Sequence, residues 1–319
     1  MHTGQHYDHA MSEKIFSDLG IRNPDIHLGI GSGSHAMQTG DMMKALEEVM
    51  LNEKPGLVII FGDTNSTLAG ALTAAKLNIP LVHVEAGLRS YNRAMPEEIN
   101  RVVADHVSEY LFAPTETARA ILKCEGLAEK TFLTGDIMVD TISKHLPAAL
   151  EKYSAPAGID IENLDYNLLT LHRNYNVDNP DVLFNILKQL DELGEMIIFP
   201  VHPRTLKMLG NADLGFKNIA LTEPMGYLDF IAVEYFSNRI ITDSGGVQKE
   251  AYILKRPCVT LRTETEWVET VKEKWNLLVD PSDKAICEKI RSFIPPETQQ
   301  DVFGKDVTGK MVEIIDSLS

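Results

Sequence analysis

Runs of apolar, mostly β-branched residues alternate along this chain with segments whose apolar residues recur at helical spacing. The stretch "MKALEEVMLNEKP" has that spacing and stops before Pro55. "GLVIIFGD" then reads as a buried strand, "TNSTLAGALTAAKLNIP" as a helix of small residues, "LVHVEAG" as a strand and "MPEEINRVVADHVS" as a helix. "EYLFAPT" and "ETARAILKCEG" repeat the strand and helix order. Continuous apolar strands separated by helices predict a mostly parallel sheet covered on both faces.

The pattern loosens over "PAALEKYSAPAGIDIENLD", whose Pro, Ala and Gly content reads as a domain link. It resumes with strands in "YNLLTLHRN", "MIIFPVHP", "NIALTEP", "RIITDSGG" and "PCVTLR", with helices between them in "PDVLFNILKQLDEL", "GYLDFIAVEYF" and "VQKEAYIL". The expected fold is therefore α/β, with two doubly wound Rossmann-like domains facing a cleft. The expected division is residues 1–155 and 156–319, with the last helix packing back on the first domain. In such sheets ligands bind beyond the carboxyl ends of the strands.

At 319 residues, 44% hydrophobic and 24% charged, the chain has the make-up of a folded protein with room for two cores. A net charge of -16 argues against a reader of nucleic acid backbones or an anionic membrane surface. The three cysteines, Cys124, Cys258 and Cys287, are far apart, which suggests neither a disulfide framework nor a zinc site. They read as reduced thiols of a cytoplasmic protein. No secretory leader is visible in "MHTGQHYDHA", and no apolar run approaches membrane-spanning length.

Polar clusters sit where strands end. Asp63 closes "VIIFGD" ahead of a helix, where its ordinary role is an N-cap and its functional role a carboxylate facing the cleft. Glu85 follows "LVHV", where partial desolvation could raise its pKa into a useful range. Glu97 and Arg101, four apart after Pro96, share one helical face; taken alone they make a surface ion pair of small worth. Three carboxylates along one edge point to acid and base work.

In the second half, His172 with Arg173, and His202 with Arg204, end successive strands and suggest an anion site. Ser244, Gly245 and Gly246 precede a helix whose free N–H groups and dipole suit a phosphate, and Glu250 on the next turn can accept both hydroxyls of a ribose. This set points to a nucleotide. The chain contains no G-x-G-x-x-G, no P-loop and no G-x-S-x-G.

Together "HTGQHYD", "GDTNSTLAGALTAAKLNIPLVHVEAGLRS", "MPEEINR", "FAPTETAR", "LHRNYN", "PVHPRT" and "TDSGGVQKEA" resemble the non-hydrolysing UDP-N-acetylglucosamine 2-epimerase family, in order and over nearly the whole chain. The resemblance implies two Rossmann-like domains of the GT-B type and a reaction in which UDP is eliminated to a 2-acetamidoglucal and added back with C2 inverted. It implies Asp63, Glu85, Glu97 and His172 as catalytic residues. It further implies Arg101, His202, Arg204, Ser244, Gly245, Gly246, Glu250 and Arg262 as substrate-binding residues. It calls for a UDP-sugar as ligand, a homodimer as assembly, and neither a metal nor a cofactor.

Three features depart from the family pattern. The chain opens on the loop that should follow a first strand, so that strand and its Arg- and Lys-bearing loop are expected to be missing. Trp267 and Val268 in "TETEWVET" stand where many members have Arg-Pro, closer to relatives acting on UDP-2,3-diacetamido-2,3-dideoxyglucuronate. Gln5 and His6 match part of a Q-H-x-x-M stretch that binds a regulatory UDP-sugar in bacterial members, but Met11 is displaced. Alternatives are an epimerase of that diacetamido sugar, an inactive UDP-sugar-binding form, a hydrolysing relative and a GT-B glycosyltransferase.

Overall fold

The structure is a computed structural model that describes residues 1–4, 16, 18–152, 161–209 and 215–318; for residues 152, 203 and 204 it describes the backbone alone. The chain divides into two compact units, residues 1–140 with 301–319, and residues 141–300.

In the first unit, four parallel strands lie side by side in chain order: β1 (Val58–Phe61), β2 (Leu81–Val84), β3 (Tyr110–Ala113) and β4 (Thr131–Leu133). Every residue of β2 is buried, as expected of a central strand covered on both faces. Helix α1 (His35–Glu53) lays Met42, Leu46 and Met50 against Ala69, Ala71 and Ala74 of helix α2 (Asn65–Lys76). Alanines on α2 let the helices approach closely, which explains why so many small residues follow Asp63. Helix α3 (Pro96–Val107) begins with Pro at its first turn, where its missing N–H costs nothing.

The chain returns to this unit at its end. Helix α6 (Val307–Ser317) packs Val307 and Met311 on Val82, Val84 and Phe112 of the sheet. The return is pinned where Asp136 donates its N–H to the Phe303 carbonyl at 2.8 Å, and where Thr308 donates its own to the Asp140 carboxylate at 2.6 Å. Gly135 sits at φ +96°, and a Cβ there would fall 2.6 Å from the Phe303 oxygen, so no other residue fits this close pass.

The second unit has six parallel strands: β5 (Tyr166–Thr170), β6 (Met196–Pro200), β7 (Ile219–Thr222), β8 (Arg239–Thr242), β9 (Cys258–Thr260) and β10 (Asn276–Leu278). Their order is β10-β9-β8-β5-β6-β7. From β5 the chain builds outward through β6 and β7, then returns to the far side of β5 and builds the other way. The direction reverses between β5 and β8, and a sheet of this kind opens a crevice where that reversal occurs. Helices α4 (Tyr227–Phe236) and α5 (Gly245–Ile253) belong to this unit.

The strands read from the sequence are present, and the α/β class with two parallel sheets holds. Two short strands, β4 and β10, add to that reading. The stretch read as a loosened link instead starts as helix Met138–Lys152 with Pro147 inside it. That helix packs Ile142 and Ala149 on Ile231 and Ala232 of α4, and this burial outweighs the hydrogen bond that Pro147 cannot donate.

Candidate functional site

In the first unit, β1 and β2 run in register with Phe61 beside Val84, so Gly62-Asp63 and Glu85 leave the sheet side by side. Asp63 is not the helix N-cap that the sequence allowed. Thr64 takes that place in a capping box with Thr67, and Asp63 accepts from Arg101 Nε at 2.9 Å and faces Arg101 Nη2 at 2.6 Å. Arg101 is buried, so it is no part of a solvated surface pair; it also donates to Glu98 at 3.1 Å. The Asn100 amide donates to the Asp63 carbonyl at 2.8 Å. These contacts hold the first turns of α3, and with them Glu97, against the Asp63 loop.

Below this edge lies a network that the sequence reading missed. His83, inside the apolar run "LVHV", is fully buried. Its Nδ1 is 2.7 Å from Asp105 and its Nε2 2.8 Å from the Gly62 carbonyl. Both partners accept, so both ring nitrogens carry protons. Burial opposes that charge, yet Asp105, the Gly62 carbonyl and the nearby Glu85 together raise His83 above the ordinary histidine range. Burial likewise opposes the Asp105 charge, while His83 and Arg89 hold its carboxyl below the usual range.

Asp105 also accepts the Gly87 N–H at 3.1 Å and meets Arg89 at 2.7 Å. Arg89 continues to Glu125 with bonds of 2.9 and 2.6 Å. Glu98 gathers the Ser90 and Tyr91 N–H groups at 2.8 and 3.0 Å. Glu85 takes a φ of +75°, a conformation unusual for a side-chain-bearing residue and frequent at functional sites. The residues that follow it are held by Asp105, which accepts the Gly87 N–H, and by Arg89, which donates to the Leu88 carbonyl at 2.7 Å.

In the second unit the loops after β5 and β8 meet at the reversal point. Thr170 and Thr242 are in register, with their hydroxyls 2.6 Å apart. Asp243, fully buried, accepts the His172 N–H at 3.1 Å, the Arg173 N–H at 3.0 Å and the Asn176 amide at 3.0 Å. It thereby ties the His172 loop to the Ser-Gly-Gly loop, a role whose only signal was the Asp directly before "SGG". The His172 and His202 rings lie 6.3 Å apart, so these two predicted residues come together.

Ser244 caps α5, accepting from Val247 N–H at 3.4 Å, and Gly245 and Gly246 form the first turn of the helix rather than a loop before it. A Cβ on Gly245 would lie 2.5 Å from Glu266 Oε1, so a larger residue there would have to displace the Glu266 carboxylate. Glu266 is paired with buried Arg262 at 3.0 Å. The Lys249 ammonium stands 4.3 Å from the Trp267 ring centre, a cation–π contact. Glu250 is buried on the second turn of α5. Of Arg204 only the backbone is described, and Gln5 and His6 lie outside the described residues. Among the described residues no group of three His, Cys, Asp or Glu side chains could hold a metal ion, and no helix is long and apolar enough to cross a membrane.

Two α/β units with parallel sheets, one with a Ser-capped Gly-Gly helix at its reversal point, define a GT-B-like fold. Residues 1–316 match the family model described as UDP-N-acetylglucosamine 2-epimerase, and the chain belongs to that family. It is 49% identical to a UDP-N-acetylglucosamine 2-epimerase homolog of Methanococcus maripaludis, over 100% of this chain and 91% of that protein. It is 44% identical to the UDP-2,3-diacetamido-2,3-dideoxy-D-glucuronate 2-epimerase of Pseudomonas aeruginosa, over 94% and 85%. The crystal structure of Methanocaldococcus jannaschii UDP-GlcNAc 2-epimerase in complex with UDP-GlcNAc and UDP superposes with a TM-score of 0.90 at 44% identity, over 100% of this chain and 91% of that one.

Proposed function

We propose that the chain interconverts UDP-N-acetylglucosamine and UDP-N-acetylmannosamine without hydrolysis. The observation that carries this reading is the edge where Asp63 and Glu85 leave adjacent strands against the Arg101-bearing start of α3. The M. jannaschii relative, bound to UDP-GlcNAc and UDP, supports it.

The chemistry follows from what must move. A base takes the C2 proton while the C1–O bond to UDP breaks, leaving a C1=C2 double bond in a 2-acetamidoglucal and free UDP. The UDP oxygen then adds back to C1 as an acid delivers a proton to the opposite face of C2. Asp63, Glu85 and Glu97 are the carboxylates assigned to these transfers. Arg101 and His172 supply positive charge or hydrogen bonds as the diphosphate departs. The N-terminus of α5, with Ser244, Gly245 and Gly246, receives phosphate, and Glu250 receives the ribose hydroxyls. His202, Arg204 and Arg262 complete the anion-binding set, and a homodimer is the proposed assembly.

Proton NMR of the protein with UDP-N-acetylglucosamine in heavy water tests the reaction. Appearance of UDP-N-acetylmannosamine with deuterium at C2 supports it, whereas absence of both exchange and product counts against it. A second reading, with the diacetamido-glucuronate sugar as substrate, is favoured by Trp267 and its contact with Lys249 together with the P. aeruginosa relative. The same experiment with that sugar decides between them by relative kcat/KM. Light scattering at several concentrations tests the dimer.

A further inference from the structure

β2 is buried along its whole length, and a strand of that kind ordinarily carries aliphatic or β-branched side chains throughout. His83 stands in it instead, and its partner Asp105 is equally buried. Desolvating two charges costs free energy that their mutual attraction does not reliably return, so stability alone is a poor account of the pair. Where its hydrogen bonds go is a better one.

The ring reaches both of the loops that carry the assigned carboxylates. Its Nε2 donates at 2.8 Å to the carbonyl of Gly62, the residue before Asp63, and the Gly62 N–H donates to the Val84 carbonyl at 3.1 Å. Gly62 is therefore tied to β2 through both of its polar backbone groups. On the other side, Nδ1 donates to Asp105 Oδ1 at 2.7 Å, and Oδ2 of that carboxylate accepts the N–H of Gly87, two residues after Glu85, at 3.1 Å.

The turn between is fixed as well. Ala86 donates its N–H to the Phe112 carbonyl at 3.1 Å, and a Cβ on Gly87 would fall 2.6 Å from the Ala118 carbonyl. With the next two N–H groups bonded, Glu85 is held in its left-handed backbone at φ +75°. One ring and one carboxylate thus set the offset between the peptide leading into Asp63 and the turn leading out of Glu85.

We propose that His83, acting through Gly62 and Asp105, is a positioning residue that fixes the spacing of Asp63 and Glu85 and touches no substrate itself. This rests on the reading that these carboxylates move protons at C2. A reaction that removes a proton from one face of a carbon and returns it to the other needs its acid and base at a set separation, and a misplacement of about 1 Å costs roughly 10²-fold in rate. A protonated imidazole is a small rigid ring that donates in two directions, and neither Asn nor Gln reaches both acceptors at once.

Wild type, H83V, H83N and H83Q are compared by C2 deuterium exchange with UDP-N-acetylglucosamine, by calorimetric binding of UDP and by melting. H83V suits a buried strand and removes both bonds; it is expected to lose about 10²-fold in kcat while KM and UDP affinity stay within about threefold of wild type. Gln carries its amide nitrogen near the place of Nε2 and Asn near that of Nδ1, so H83Q regains the bond to Gly62 and H83N only the bond to Asp105. Asp105 has Arg89 at 2.7 Å besides, so the Gly62 arm is the one to lose. H83Q is therefore expected to exceed H83N in kcat by about tenfold whatever their melting temperatures, a split that a merely structural role does not produce.

Wild-type kcat in H83V overturns the proposal, as does a loss that follows melting temperature alike in H83N and H83Q. Should the variants not fold, the wild-type protein supplies a second readout. With ¹⁵N-labelled histidine, His83, the one fully buried histidine among the described residues, is expected to show two slowly exchanging ring N–H protons. A single ring proton leaves one arm unmade and overturns the proposal. If wild type exchanges C2 of neither this sugar nor the diacetamido-glucuronate, the reading of Asp63 and Glu85 falls and the proposal with it; exchange in wild type with kcat intact in H83V removes the positioning role alone.

Discussion

Asp105 and Glu234 are both fully buried carboxyl groups, and they settle in opposite states. Asp105 has His83, Arg89 and the Gly87 N–H around it and is held ionised below the usual range. Glu234 makes no hydrogen bond among the described residues, and burial and then the charge of Glu250 hold it protonated, well above that range. Burial pushes both upward, and the difference lies in their neighbours. The same contrast runs through the two units. The first edge joins buried charges to opposite charges and so fixes Asp63 and Glu85 before any ligand arrives. The second leaves both oxygens of Glu234 and of Glu269, and one guanidinium nitrogen of Arg262, without hydrogen bonds among the described residues. It stores a desolvation cost that a ligand or a proton can relieve.

The largest effect expected tests whether the paired edge is the proton-transfer edge. Glu97→Gln should keep UDP binding and lower turnover by about 10²–10⁴-fold, the usual worth of a general acid or base. Deuterium incorporation at C2 measures it, and a variant running near the wild-type rate would remove Glu97 from the mechanism.

Breaking the network itself comes next. His83→Asn leaves Asp105 without its imidazolium and should cost about 3–5 kcal/mol of stability, read by urea unfolding. Because the folded pKa of His83 lies above its unfolded value of about 6.5, the stabilisation is full below that pH and is lost as pH rises through the folded value. The gap between wild type and His83→Asn should therefore narrow in alkaline solution.

Glu234 sharpens the contrast from the other side. Its folded pKa is raised too, so the wild-type fold is relatively strongest in acid and loses ground to E234Q as pH rises through that value. Melting temperatures of the two proteins across pH should diverge, and parallel curves would contradict the protonated state. The smallest effect concerns the cap. Ser244→Ala should cost about 1 kcal/mol, as other N-cap replacements do. Arg22→Ala, which breaks an exposed pair with Asp25, serves as a control with no measurable change.

Much of this was legible in the chain. Eight strands announced themselves because buried parallel strands are continuous apolar runs, and the polar residues at their ends marked both edges. Strands β4 and β10 escaped because each has three residues, too few for a period to show. His83 was read as part of an apolar strand, and Asp105 as part of an ordinary helix. Their meaning rests on a 22-residue separation closing to 2.7 Å, which no local pattern encodes. Glu98 was overlooked beside Glu97 for a similar reason. The helix buries one glutamate beneath the Ser90 loop, and sequence spacing alone does not say which. Glu234 left no trace, since an acid on a helix is normally solvated.

The pass of Gly135 under Phe303 has a consequence for synthesis. The first unit is begun first, but one face of its sheet is covered only when Val307 and Met311 have been made, after the second unit. The second unit, contiguous from 141 to 300, has all its residues before then. A ribosome adding about 5–20 residues per second therefore leaves the apolar face of β2 and β3 bare for the time needed to make the whole intervening unit. A chain stalled or clipped before residue 301 would carry a finished second unit and a sticky, uncovered first one, a natural target for chaperones and proteases.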